Sequence, residues 1–339
     1  MSYRAALRRL ACDSPSIGAL GRLGPSVERG QSRGRVRAGT AREGWSAGHP
    51  IRRRDFAGEP LVPAEIGRIR FGVGKTLWLW GMAIPGLAVG IPSLTPATLV
   101  VSLALAFLTL CVGHSVGLHR GIIHRTYEAR SVVREALAYL FVLGGLGGPV
   151  SWARLHAVRD YWQSRRDCPR YFAYGHSMAR DFIWNLHLRF EPADRRTDAR
   201  LPADVLCDPW LRFLERTWPI HVLLFAGVVF LVLGPGGVAV CICARTAAGI
   251  VGHWAVGYAA HAWGERRFVI PGASECGTNV WILGVLSFGE GFHNNHHAFP
   301  KSARMGMRPG ELDLGSTVIW ALERMGLVRR VSAWHRAAP

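Results

Sequence analysis

Residues 289–300 read Gly289-Glu-Gly-Phe-His-Asn-Asn-His-His-Ala-Phe-Pro300 and place three imidazoles, His293, His296 and His297, within five positions. On a helix, positions i, i+3 and i+4 share one face. Three neutral imidazoles on one face make a site for a transition metal. The competing reading is a histidine-rich surface loop. Further histidines upstream, at places the topology can bring together, weigh against it.

Working outward, hydrophobic residues make up 49 % of the 339-residue chain and charged residues only 19 %, which points to a membrane protein. The formal net charge is +18, almost all of it arginine; Lys75 and Lys301 are the only lysines. Nucleic-acid binding fits this charge poorly, because the basic residues lie outside the apolar runs rather than along one face. A positive cytoplasmic surface accounts for them better. The seven cysteines form no CxxC pair. Cys241 and Cys243 lie in an apolar run and read as small hydrophobes. No disulfide framework is expected.

Residues 1–70 are rich in Arg, Gly and Ser and read as a disordered tail, with an organelle transit peptide as the alternative. Residues 71–330 read as one membrane domain and 331–339 as a C-terminal tail. Four stretches are apolar enough to cross a bilayer: 76–90, 97–117, 218–233 and 237–260. Uncharged turns, Ile91–Pro96 and Gly234-Pro235-Gly236, join them into two hairpins. The first and third are short against the ~20 residues of a full crossing. Arg245, inside the fourth, must snorkel or find a partner. The arginine-rich tail, the 152–217 loop and the C-terminal segment place both termini and that loop in the cytoplasm. Residues 131–150 also look like a span. If they crossed, His119 and His124 would lie ~30 Å from His156. A shared site therefore requires this segment to lie in the interface or dip and return, which its glycines and Pro149 favour. Residues 279–288 look interfacial too.

With four spans, the remaining histidines fall on the cytoplasmic side. His119 and His124 are five apart, about 140° around an ideal helix, so they approach a metal from different angles or the helix ends between them. His156 and Asp160, four apart, share a helical face; Asp160 is a competent oxygen ligand or an ion-pair partner. His261 ends the fourth span.

At this point the chain resembles the membrane fatty-acid desaturases, closest in layout to the stearoyl-CoA type. The matching pieces are Gly117-Leu-His-Arg-Gly-Ile-Ile-His-Arg125, Trp152-Ala-Arg-Leu-His156, Ala260-His-Ala-Trp-Gly264 and the 289–300 stretch. The resemblance implies an all-α integral membrane fold, with four transmembrane helices under a cytosolic helical cap. It implies a non-haem centre of two Fe, and O2-dependent insertion of a double bond into an acyl chain carried on CoA, a carrier protein or a lipid. Electrons would come from a ferredoxin or a cytochrome b5-type donor. A bacterial inner membrane, with the active site cytoplasmic, is the expected location. Carried over residue by residue, one iron keeps His119, His124, His156, Asp160 and His296, and the other keeps His261, His293 and His297.

The chain departs from the family in the middle. The usual second box is His-x-x-His-His, and here it is His156-Ala-Val-Arg159-Asp160. Arg159 stays protonated and offers no lone pair. The family's Asn one turn before the fourth-span His is Gly257 here. The second iron is thus short of ligands, and His253, His187 and His176 are the candidates to fill the gap. Glu290 and Asn294 are expected to orient ligating imidazoles. Two other functions stay open at this point: a lipid or alkane hydroxylase or ketolase of the same di-iron type, and a degenerate homologue acting as a membrane scaffold.

Overall fold

The computed structural model describes residues 37–38, 60–193 and 201–333. The tail read over 1–70 falls mostly outside them, as do residues 334–339 of the C-terminal tail.

Helix α1 (Val73–Pro85) continues into wider turns over Gly86–Gly90. Thr95 then starts α2 (Pro96–Ala106) with a reciprocal cap: its hydroxyl accepts from the Thr98 backbone N–H, and the Thr98 hydroxyl accepts from the Thr95 N–H. Pro96 at the first helical position needs no N–H partner there. The helix runs on to Ile123, so Pro96–Ile123 is one apolar rod of 28 residues. A second rod, Pro209–Ala262, contains α3 (Pro209–Val238) and α4 (Arg245–Ala262). It folds back at Gly234, whose φ of 66° and ψ of −169° leave the helical region. These two rods are long and apolar enough to cross a membrane. Their outer faces agree with that: Leu231 and Val232 are 84 % and 74 % exposed, and Val100, Leu103 and Leu223 also point outward. Such continuous apolar surface is unfavourable in water and favourable in lipid.

Arg245 pairs with no acid among the described residues. Its guanidinium donates to the Cys241 carbonyl, the Thr109 hydroxyl and the Leu143 carbonyl. Of the two outcomes expected for it, snorkelling or a partner, these neutral acceptors inside the bundle supply the second.

The lower half of the first rod, Phe107–Ile123, is π-helical. The His124 N–H bonds the His119 carbonyl at 3.0 Å, five residues back. Such widening recurs at functional sites. Gly113 and Gly117 let this segment lie against α5 (Ser131–Leu143), where an added Cβ would fall 2.4 Å from Phe141 N and 2.7 Å from Leu137 Cβ. The close approach follows the small-xxx-small rule of membrane helices. Gly113→Ala is therefore expected to lower stability by about 1–3 kcal/mol, read as a fall in Tm in detergent. Gly81→Ala, with nothing within 4 Å of its added Cβ, is the silent control.

Residues 131–150 do not carry the chain away from the site. α5 buries Leu137, Ala138, Phe141 and Val142 and ends in a turn through Gly145 and Gly147, both at positive φ. α6 (Pro149–Gln163) then returns. His124 and His156, on either side of this excursion, have ring centroids 5.0 Å apart. Outside the rods the described residues also form α7 (Met178–His187), α8 (Trp281–Leu286), α9 (His293–Ala298) and α10 (Leu314–Arg324). An antiparallel pair, Gly67–Phe71 with Leu188–Pro192, ties the start of α1 to the end of α7.

Candidate metal centre

Seven imidazoles gather beneath the rods in two groups. His119, His124, His156 and His296 form one, His261, His293 and His297 the other; within each group the donor atoms lie within 4.8 Å of one another. The π-helical turns explain the first pair. Five residues make about one such turn, so His119 and His124 share a face, with centroids 4.7 Å apart, rather than the 140° divergence of an ideal helix. His114, five residues further back, stacks on His119 at 6.2 Å. α9 straddles the groups: His293 and His297, four apart, face one another with Nε2 atoms 3.0 Å apart, and His296 turns toward His119 and His124 at 4.8 and 4.6 Å.

The nitrogen atoms fit a metal. The Nε2 atoms of His119, His124 and His261 are buried with no hydrogen-bond partner among the described residues. Leaving such atoms unpaired costs about 1–3 kcal/mol each, and a cation facing them removes that cost. In two of these three rings the other nitrogen faces an oxygen. His119 Nδ1 lies 2.7 Å from Glu290 Oε2. His261 Nδ1 faces the Gly257 carbonyl at 2.8 Å, one helical turn back. Each contact leaves Nε2 free to ligate.

Several expectations change here. Asp160 lies outside both groups, and its Oδ2 sits 3.1 Å from His156 Nδ1. The i, i+4 spacing that suggested a shared ligand face serves this pairing instead. His253 packs against His114 and Trp152, at 5.0 and 5.1 Å. His187 meets the Thr76 hydroxyl and stacks between Phe71 and Trp80. His176 pairs with Asp181 at 2.6 Å. None of these three joins the short group. Asn294 touches no imidazole with its side chain: it accepts from the Arg267 and Phe268 N–H groups and donates to the Phe268 and Cys276 carbonyls. It holds α9 to the 265–278 loop, and so positions the histidines through the backbone.

Four contributors lay outside the sequence reading. The Ser115 hydroxyl donates to Glu290 Oε1 at 2.5 Å. Arg120, 0 % exposed, donates to both Asp313 oxygens at 2.9 and 3.2 Å. His114 is the third, and its place in the five-residue series His114, His119, His124 was the available signal. Tyr174 stacks on His261 at 4.0 Å. Glu290→Gln keeps the shape and loses the charge behind His119. Metal affinity is expected to fall 10- to 100-fold, measured by chelator competition.

Burial, reinforced by neighbouring imidazoles, pushes His124 down to about 4 and His293 and His296 well below the ordinary value of 6.5. Burial also lowers His297. At His156 burial acts the same way, but the Asp160 carboxylate outweighs it and the net shift is upward. The four depressed groups bind fewer protons folded than unfolded. In the metal-free protein their contribution to stability is complete above 6.5 and is lost as pH falls toward about 4. His156 opposes this as one group against four. Denaturant midpoints across that window are expected to drop with pH.

A profile of the fatty acid desaturase family matches residues 94–320. The chain is 30 % identical over 262 residues to the sn-1 stearoyl-lipid 9-desaturase of Anabaena variabilis, covering 76 % of this chain and 92 % of that one. It is also 30 % identical over 223 residues to the acyl-CoA C20 Delta5-desaturase of Anemone leveillei, and 31 % identical over 242 residues to the Delta-9 acyl-lipid desaturase 1 of Arabidopsis thaliana. These matches cover 63 % and 65 % of this chain and 67 % and 70 % of the relatives. The chain belongs to the fatty acid desaturase family. It is an oxidoreductase that desaturates fatty acyl chains.

Proposed function

We propose that His119, His124, His156 and His296 hold one iron ion, that His261, His293 and His297 hold a second, and that the enzyme uses O2 and external electrons to introduce a double bond into an acyl chain. The observation that carries this is the gathering of seven imidazoles from four separate segments into two groups with buried, unpartnered Nε2 atoms. Nitrogen ligands suit iron. Iron held there would supply the oxidising power needed to remove hydrogen from an unactivated methylene. The protein contributes position. Glu290 and the Gly257 carbonyl fix the tautomers of His119 and His261, Asp160 fixes His156, and Trp152 walls the first group.

Residues 71–330 make up the desaturase domain in this reading. The helix 73–90, the rod 96–123 and the two arms of 209–262 form four spans, with both termini and the site on the cytoplasmic side of a bacterial inner membrane. The uncharged turns and the arginine-rich flanks support it. The electron donor is a separate ferredoxin or cytochrome b5-type protein, drawn by the positive face. The carrier is CoA or a lipid, as the names of the relatives indicate. Expression in a desaturase-deficient host with fatty-acid profiling tests the reaction. A new double bond is expected; an added oxygen with no double bond overturns it.

A further inference from the structure

A cavity of about 240 Å³ adjoins the first histidine group and reaches from His156 and His253 to Lys75, Arg159 and Asn185. Its wall between these ends is apolar, made by Leu146, Leu155, Ile250 and Trp254. The far end is different. Arg159 donates to the Asn185 side-chain oxygen and, at 3.2 Å, to the Tyr174 hydroxyl. Lys75 donates to the Asn185 and Leu188 carbonyls at 2.5 and 2.9 Å. Both cations thus converge on Asn185, and all four acceptors are neutral. Neither has a carboxylate partner among the described residues. Asp181, which accepts from the Asn185 amide, is also engaged by His176 and Trp254. Capping the end of α7 accounts for the place of Lys75, but it leaves the charge of Lys75 and that of Arg159 unbalanced beside one apolar cavity. The two cations repel one another, and Arg159, half-buried, is costly to desolvate without an anion, while Lys75 is exposed.

We propose that Arg159 and Lys75 form an anion receptor for the negatively charged head of a bound alkyl chain, a carboxylate or a phosphate. The head is held at Asn185 while the chain lies along the apolar wall toward His156. Arg159 stands where the resembled pattern has a ligating histidine. The position has passed from holding metal to holding substrate, and Arg159 is a specificity residue. That the bound chain is the one desaturated rests on the function proposed above.

The test is equilibrium binding to the iron-loaded enzyme in nanodiscs, with partition into empty nanodiscs subtracted. The probes are palmitate, hexadecyl phosphate and uncharged methyl palmitate. At least one anion is expected to bind about ten-fold or more tightly than the ester, and the better anion identifies the head as carboxylate or phosphate. Arg159→Gln with Lys75→Gln is expected to cut that preference below about three-fold, and Arg159→Lys to keep most of it. Unchanged iron per chain reports that each variant is folded; if the double variant fails this check, Lys75→Gln alone is expected to lower the preference. Equal binding of ester and anions, or a preference that survives in the folded charge-free variant, overturns the proposal. Binding is read without turnover, so a charge preference in an enzyme that forms no double bond would overturn the desaturation reading and leave the receptor standing.

Discussion

His296→Ala removes desaturation, by at least about 100-fold, and lowers bound iron while the protein still inserts into membranes. His296 is the hub of the first group. Its ring lies 4.8 Å from His119, 4.6 Å from His124, 6.4 Å from His156 and 5.7 Å from His293. No nearby side chain can move into the gap, because His114 and His253 pack against Trp152. Loss of a residue that merely orients a ligand typically costs 10- to 100-fold, and loss of the ligand itself costs more. The apolar rods are untouched, so membrane extraction and Tm should stay near those of the parent. Fatty-acid profiles and iron per chain are the readouts. Activity retained in a folded H296A protein contradicts a metal role for His296.

Arg120→Met is expected to destabilise the protein by about 3–5 kcal/mol, the cost of leaving one charge of a buried pair alone. Beyond Asp313, Arg120 donates to the Ala303 and Phe288 carbonyls at 2.8 and 3.1 Å. Asp313 in turn accepts from the Met305 and Ser316 N–H groups and caps α10. One guanidinium thereby ties the π-helical segment to the 288–316 region that carries α9. Gly289 and Gly315 exist where they do because a Cβ there would fall 2.6 and 2.8 Å from Arg120 atoms. Thermal unfolding of Arg120→Met and Asp313→Asn measures the effect. A shift within about 0.5 kcal/mol, the ordinary range for surface substitutions, would show that the pair is not the joint described.

Part of this was legible in the chain. Apolar runs bounded by Ile91–Pro96 and Gly234-Pro235-Gly236 mark the rods, since length and hydropathy are properties of the sequence itself. The glycines at 144–148 signalled a return rather than a crossing. The orientation of His119 and His124 was not legible, because reading a 3.6-residue period assumes the hydrogen-bond ladder that the π-helical segment abandons. Asp160 shows another limit. Spacing placed it on the face of His156, but one face allows either a shared ligand or a supporting contact, and only the position of the other imidazoles separates these. Arg120–Asp313 joins residues 193 apart, and no local pattern announces a pair of that separation. The cavity was invisible for the same reason: Lys75, Arg159 and Asn185 meet only through tertiary packing.

The measurement that bears most directly on the account is iron per chain in the purified, iron-reconstituted protein. Two groups of imidazoles predict a value near two, including the group that has three histidines and loses its further ligand to Arg159. A value near one would contradict the second site, and a value near zero would contradict the metal centre altogether.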